Sequence, residues 1–508
     1  MKLFKKLALG GVIAAAGFLG ACQGAATETG NPQELIVVQS ADASSLDPHV
    51  SNDSASATPI NHLFSRLVNQ DEDLNIIPGL ALSWEELDDR TWQFTLRDDV
   101  YFHNGDKLTA EDVVFSLKRA IASTTVTHIM GAFDPEGIEA VSEYVVNVAT
   151  LEPFAPILVH LAHNASSILN ERSVLEAGDD FGQNPVGTGP FAFKEWVSSD
   201  RIILERNDDF FGAAADFETL TFKIVPEAAN RVIELETGQA HVALDILPTH
   251  LARVEADEAL NLLRRQDLRV NYLGMNTLHE NFQDLRVRQA LNYAIDVAAI
   301  VDSILEGVGA PSVGPISPDV WGFNPALTGY GFDPERARAL LAEAGFEDGF
   351  STVLSIDDND LRVQMATIIA NQLGQVGIQV EIERFDWPSY LEFTGTGDHE
   401  LFILGWTNVG GDADMGLFPT FHSSAAGPSG NRTFFANDRL DQLLEQGRAE
   451  TNPEARKSYY FEAQEIIVAE APWVFLNTGE LLAATTADVE GFSLSPRGIH
   501  WFTDVTFR

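Results

Sequence analysis

Residues 185–246 read PVGTGPFAFKEWVSSDRIILERNDDFFGAAADFETLTFKIVPEAANRVIELETGQAHVALDI. Glycine and proline break the chain at 185–190. Short β-type runs follow at 191–196, 201–205 and 220–225, with a turn at 207–212. Residues 228–238 read as a helix, and 241–246 return to a strand. Strand and helix alternate, which predicts an α/β fold.

The pattern extends in both directions. Toward the N-terminus, 34–39 is a short buried-type strand and 44–56 a turn-rich loop. A helix is predicted over 58–69, with Ile60, Leu63, Phe64, Leu67 and Val68 apolar. Alternation over 91–97 predicts a half-buried strand, and Asn104-Gly105 marks a turn tip. Thr109 caps a helix over 110–122, with Asp112 at the third helical position. Toward the C-terminus, amphipathic spacing predicts one helix over 286–306. Another spans 334–344, entered by Asp333 with Pro334 at its first position and ended by Gly345. A helix over 361–376 precedes a strand over 378–383. A buried strand over 401–406 runs into a loop rich in Gly and Asp. Helices at 438–449 and 453–470 and strands at 474–477 and 505–508 complete the chain, and no internal repeat is present.

The 508 residues exceed one compact core, so two or three domains are expected. The net charge is −43, with eight lysines against 24 arginines. The acids are spread along the chain, which argues for a solvated acidic coat and against nucleic acid or anionic surfaces as partners. The single cysteine, Cys22, follows a basic start (Lys2, Lys5, Lys6) and an apolar run over 7–19. That order is a secretory signal, too short for a spanning helix of roughly 20 apolar residues. Leu19-Gly20-Ala21-Cys22 resembles the lipobox of bacterial lipoproteins. The resemblance implies cleavage after residue 21, a lipid on Cys22, a flexible tether over 23–33 and an extracytoplasmic body held at the membrane.

Several segments together resemble the extracytoplasmic solute-binding proteins of family 5, the peptide, dipeptide, glutathione and nickel binders of ABC importers. They are Ser45-Leu-Asp-Pro48, Pro78-Gly-Leu-Ala-Leu-Ser-Trp84, Phe102-His-Asn-Gly105, residues 108–119 (LTAEDVVFSLKR), Gly187-Thr-Gly-Pro-Phe191, residues 204–210 (LERNDDF), 284–296 (DLRVRQALNYAID), 332–345 (FDPERARALLAEAG) and Leu404-Gly-Trp406. Their shared order is specific, although each is weak alone. The resemblance implies a periplasmic-binding-protein-like two-lobed clamshell (class II, cluster C) with an inserted domain. Lobe I would comprise 34–68, 185–270 and 478–508, the inserted domain 69–184, and lobe III 271–477, hinged near Val270 and Thr478. It implies a monomer without cofactor that captures short peptides and delivers them to permease subunits driven by cytoplasmic ATPases. A Gram-positive surface is the expected setting.

The loop after 401–406 is the expected ligand wall: Gly405, Trp406, Thr407, Asn408, Asp412 and Asp414. Glycine admits close approach of a ligand, Trp406 packs on it, and either Asp pairs with an ammonium. Dipeptide and oligopeptide binders carry an amine-clamping Asp three residues after Gly-Trp, whereas this chain has Val409. Its pattern is nearer the glutathione-binding branch. By position, the resemblance adds Asn52, Asp53 and Ser54, then Asp245, the aromatic Trp387, and Asn431 with Arg432. Arg362 suits a carboxylate. The chain has no HExxH, GxxxxGK[ST] or GxSxG motif. Nickel, haem or an oligosaccharide stay open as ligands of the same fold. The remote alternative is a surface hydrolase using Asp412 and Asp414 as an acid pair.

Overall fold

The computed structural model describes residues 33–508 apart from Asn52, Asp358 and Ser429. Cys22, its cleavage box and residues 23–32 of the tether lie outside the described residues, as does the candidate Asn52.

The strands read from 191–246 all form and join one mixed sheet of eleven strands. From one edge it runs Phe191–Val197, Arg201–Arg206, Thr219–Ile224, Glu34–Gln39, Val242–Ala243, Trp473–Thr486, Leu260–Met275, Leu401–Thr407, Phe350–Asp357 and Ile378–Phe385. Ala310–Pro311 adds to Trp473–Thr486. Glu34–Gln39 and Phe350–Asp357 are each parallel to both neighbours. Parallel pairing needs a crossover, and helix Asp360–Gln375 supplies the one between Phe350–Asp357 and Ile378–Phe385. This is the α/β organisation expected.

The two longest strands sit at the centre of the sheet. Leu260–Met275 has 16 residues and Trp473–Thr486 has 14. The first escapes a sequence reading because Arg264, Arg265, Asp267 and Arg269 interrupt its apolar pattern, and the predicted strand at 474–477 covers only four residues of the second. Their ladder slips between Gln266↔Glu480 and Val270↔Thr478. Separate cores lie on either side of the slip. One contains Leu35, Val37, Phe191, Ile202 and Phe222, the other Leu273, Leu291, Leu354, Ile369 and Leu401.

A smaller antiparallel sheet orders as Ala81–Asp88, Thr91–Leu96, Val145–Ala149 and Glu139–Ser142. Helix Ala110–Ala122 packs Val113 and Leu117 against Phe94, Leu96 and Val146. Its entry is braced as read: the Asp112 carboxylate accepts from the Thr109 backbone N–H at 3.0 Å and from its hydroxyl at 3.1 Å.

Two helices differ from expectation. The helix predicted over 58–69 is Ser54–Leu63, because Asp53 caps it by accepting from Ser56 N–H at 2.9 Å. Val68 is buried as predicted, but in strand Val68–Gln70. The helix predicted over 286–306 is two, Leu285–Ala294 and Val297–Ile304. Ile295 is extended between them, and Asp296 caps the second by accepting from Ala299 N–H at 3.0 Å.

Candidate ligand cleft

Strand Leu401–Thr407 pairs antiparallel with Leu260–Met275, setting Trp406 opposite Val270. The strand ends there, so Trp406 and Thr407 emerge at the sheet's central break. The Trp406 indole N–H donates to the Met415 carbonyl at 2.8 Å, which fixes the ring. Asn408 is buried and braces the loop from within: its side-chain amide donates to the Asp412 carbonyl at 2.8 Å and accepts from Gly411 N–H at 3.0 Å.

The two candidate aspartates are both committed to arginines. Asp412 caps helix Ala413–Phe421 by accepting from Asp414 N–H at 2.9 Å. It also takes a two-point bond from Arg456 at 2.6 and 2.7 Å, and that guanidinium lies 4.6 Å from the Trp321 ring centroid. Asp414 is fully buried and accepts from Arg448 at 2.8 and 3.1 Å. His160 Nε2 stands 3.7 Å away. Burial alone would raise the Asp414 carboxyl, but Arg448 and His160 override it and hold it below the usual range. The Arg448 guanidinium lies 3.4 Å from the Phe418 ring centroid.

Around Trp406, three cavities adjoin. The largest is about 500 Å³, lined by Thr124, His128, His160, Trp406, Phe418 and Arg448 among others. The next, about 220 Å³, shares His128, His160, Trp406 and Arg448, and adds Ser54, Thr407, Val409 and Asp414. The third, about 70 Å³, shares Ser54 and Val409 and adds Asp53, His163 and Arg497. Together they form one cleft between the loop after Thr407 and the segments 48–60, 124–132 and 160–165.

Of the sequence candidates, Asp53, Ser54, Trp406, Thr407 and Asp414 line this cleft. Asp412 instead borders a separate space of about 430 Å³ beside Trp321 and Arg456. Gly405 leaves room for Arg269 and not for a ligand: a Cβ there would stand 2.3 Å from Arg269 Nε. Arg362 donates to Asp357 at 2.6 Å and lies over the ring of Trp387, a residue 43% exposed and outside these cavities. Asn431 is buried, donating to the Phe435 carbonyl at 2.8 Å. Arg432 donates to the Leu391 carbonyl and the Thr394 hydroxyl, both at 2.7 Å. Asp245 accepts from the Ser40 hydroxyl at 2.5 Å in a left-handed backbone conformation (φ 55°) and lines none of the three cavities. In this structure the glycine, amide and arginines of these positions each pack or bond against protein.

The sequence reading missed the wall from the smaller-sheet region, His128, Ile129, His160 and His163, together with Arg448 and Arg497. Arg448 lies in the predicted helix over 438–449, where nothing distinguishes it from a solvated arginine, and the others lie in no predicted element or metal-ligand motif, so no local signal marks them. Burial lowers His128 to about 4, and His163 well below its usual value. Among the described residues no group of three or more His, Cys, Asp or Glu is arranged to hold a metal.

Residues 75–428 match the family model described as bacterial extracellular solute-binding proteins, family 5. The dipeptide-binding protein of Escherichia coli (strain K12) is 31% identical over 485 residues, covering 89% of this chain and 90% of that protein. The glutathione-binding protein GsiB of Pectobacterium atrosepticum is 30% identical, covering 93% of this chain and 94% of that protein. Among solved structures, the periplasmic binding protein DppA from Helicobacter pylori in complex with the peptide STSA superposes with a TM-score of 0.84 at 28% identity, over 94% of this chain and 98% of that one.

Proposed function

The chain belongs to the bacterial extracellular solute-binding proteins of family 5, and from that premise we propose that its cleft captures a short peptide or a glutathione-like ligand for delivery to the permease of an ABC importer. The observation that carries this reading is the cleft itself. Its adjoining cavities of about 500, 220 and 70 Å³ suit a ligand of a few residues, with the Trp406 indole and polar groups turned toward it. The peptide and glutathione named for the relatives support the same class.

In this reading residues 34–68, 185–270 and 478–508 form one jaw, 271–477 the other, and 69–184 an inserted domain that walls the cleft. The jaws turn where Val270 pairs with Thr478, beside the slip in the central ladder. The protein is a binder and not a catalyst in this reading, which the pairing of both acids of the supposed hydrolytic pair with Arg456 and Arg448 supports. A lipid on Cys22 keeps the trap beside its permease in this reading, and Cys22→Ala is expected to abolish incorporation of labelled fatty acid; label retained by the variant overturns the anchor.

The test is a thermal-shift series with di- to pentapeptides, glutathione, nickel, haem and oligosaccharides. A ligand present at 100 times its dissociation constant stabilises by about 2.7 kcal/mol, a shift easily read. Peptides or glutathione are expected to raise the melting point; a shift with only a metal, haem or sugar overturns the peptide reading.

A further inference from the structure

Among the described residues, one guanidinium lining the cleft has neither an acid beside it nor a full set of hydrogen-bond partners. Arg448 spends its fork on Asp414. Arg66, behind the smallest cavity, donates to Asn69 and Asn164. Arg362, the carboxylate partner expected from sequence, is bound to Asp357. Arg497 differs from all three. Its Nε donates to the Val409 carbonyl at 2.8 Å, and among the described residues neither Nη has a partner. Burial alone lowers it to about 10, with no acid acting on it. It lines the 70 Å³ cavity, where the one carboxylate, Asp53, is already occupied by the Ser44 hydroxyl and by the backbone N–H and hydroxyl of Ser56.

Arg497 is half-buried; a charged group partly withdrawn from water without an acid is costly, and a planar fork with two open nitrogens matches a carboxylate at two points. A recess of about 70 Å³ admits such a group and little more. The wider field works the other way, since a chain of net charge −43 repels anions, so an anionic ligand needs a local cation to settle. Ser54 and Val409 border both the recess and the 220 Å³ cavity, so one end of a ligand lying along Trp406 reaches Arg497.

We infer that Arg497 seats a free carboxylate of the ligand in this recess, and that the cleft selects for peptides with an unblocked C-terminus or a comparable acid. The inference rests on the peptide reading of the same cleft. Arg497 comes from the C-terminal segment and Val409 from the loop after Thr407. The Nε bond thus joins two remote parts of the chain, and a carboxylate on the Nη pair holds that junction in place.

The experiment is calorimetric titration of the full chain with alanine di-, tri- and tetrapeptides and glutathione, each as free acid and as C-terminal amide. The free acids are expected to bind at least tenfold more tightly than their amides. Arg497→Gln removes that difference by weakening the acids to the level of the amides, and Arg497→Lys keeps part of it. Circular dichroism melts of both variants check folding, and the acid–amide comparison on the unaltered protein needs no variant. Equal affinity for acids and amides overturns the inference while leaving peptide capture intact. Discrimination that survives Arg497→Gln overturns the assignment to this residue. Binding of neither acids nor amides overturns the peptide reading, and this inference falls with it.

Discussion

Asp414 and Arg448 are the residues at the cleft whose roles separate most sharply from what their types suggest. An aspartate beside a ligand invites an ammonium, but this one is fully buried and answered at 2.8 and 3.1 Å by one guanidinium. Removing one member of such a pair leaves a stranded charge, at a cost of about 3–5 kcal/mol. Arg448→Met is therefore expected to lower the melting point strongly, and adding Asp414→Asn to recover part of the loss in denaturant titrations. Equal stability of the single and double variants would falsify the pairing as the main term. Trp406 is the contrasting case: its ring is fixed by Met415 yet open to two cavities. Trp406→Ala is expected to abolish the peptide-induced thermal shift while changing the unliganded melting point far less than Arg448→Met does. If affinity is unchanged, the cleft is elsewhere.

Among the elements, the loop from Thr407 to helix Ala413–Phe421 shows why glycine spacing alone misleads. Gly410 looks like room for a ligand, but a Cβ there would stand 2.1 Å from Met415 Sδ and 2.6 Å from Val159 Cγ1. The space is already taken by helix Ile157–Leu161, which carries His160 into the cleft wall. Overpacking of this kind costs about 1–3 kcal/mol. Gly410→Ala is expected to destabilise by that order and also to weaken ligand binding, because it displaces Met415 and Val159, and with Val159 the helix that carries His160; a neutral result in both assays rejects the contact. The paired helices at 285–304 make the same point in a milder form. Their amphipathic spacing continues across the break, so the run reads as one helix, whereas Asp296 accepting from Ala299 N–H starts a second. A side-chain oxygen competing for backbone donors is visible as a residue type, but the choice to cap and not to continue depends on what each helix packs against.

At the scale of the molecule, burial keeps histidines neutral in widely separated places. His49, His62, His103, His399 and His500 are each lowered to about 4, in every case chiefly by desolvation. In the unfolded chain they bind protons near 6.5. The unfolded state thus takes up more protons between those values, and the stability these groups contribute is present above pH 6.5 and lost as the pH falls toward 4. Melting points measured from pH 8 to 4.5 are expected to stay level and then fall below about 6.5; a flat profile rejects the neutral histidines. Added salt is expected to raise the melting point at neutral pH by screening the repulsion within a chain of net charge −43, with no such gain overturning that account. Periodicity and capping residues alone determined the α/β class, the helices Ala110–Ala122, Asp438–Ala449 and Pro453–Glu470, and strand Leu401–Thr407 with Trp406 at its end. Those are local choices, set by side-chain pattern and backbone donors within a few residues. Tertiary structure alone decided that Leu260–Met275 and Trp473–Thr486 form the spine of the sheet, that Asp412 and Asp414 are answered by Arg456 and Arg448, and that Arg497 is left open beside Asp53. Whether a charge is spent or free depends on partners brought from 34, 44 or 88 residues away, and no pattern along the chain records that distance.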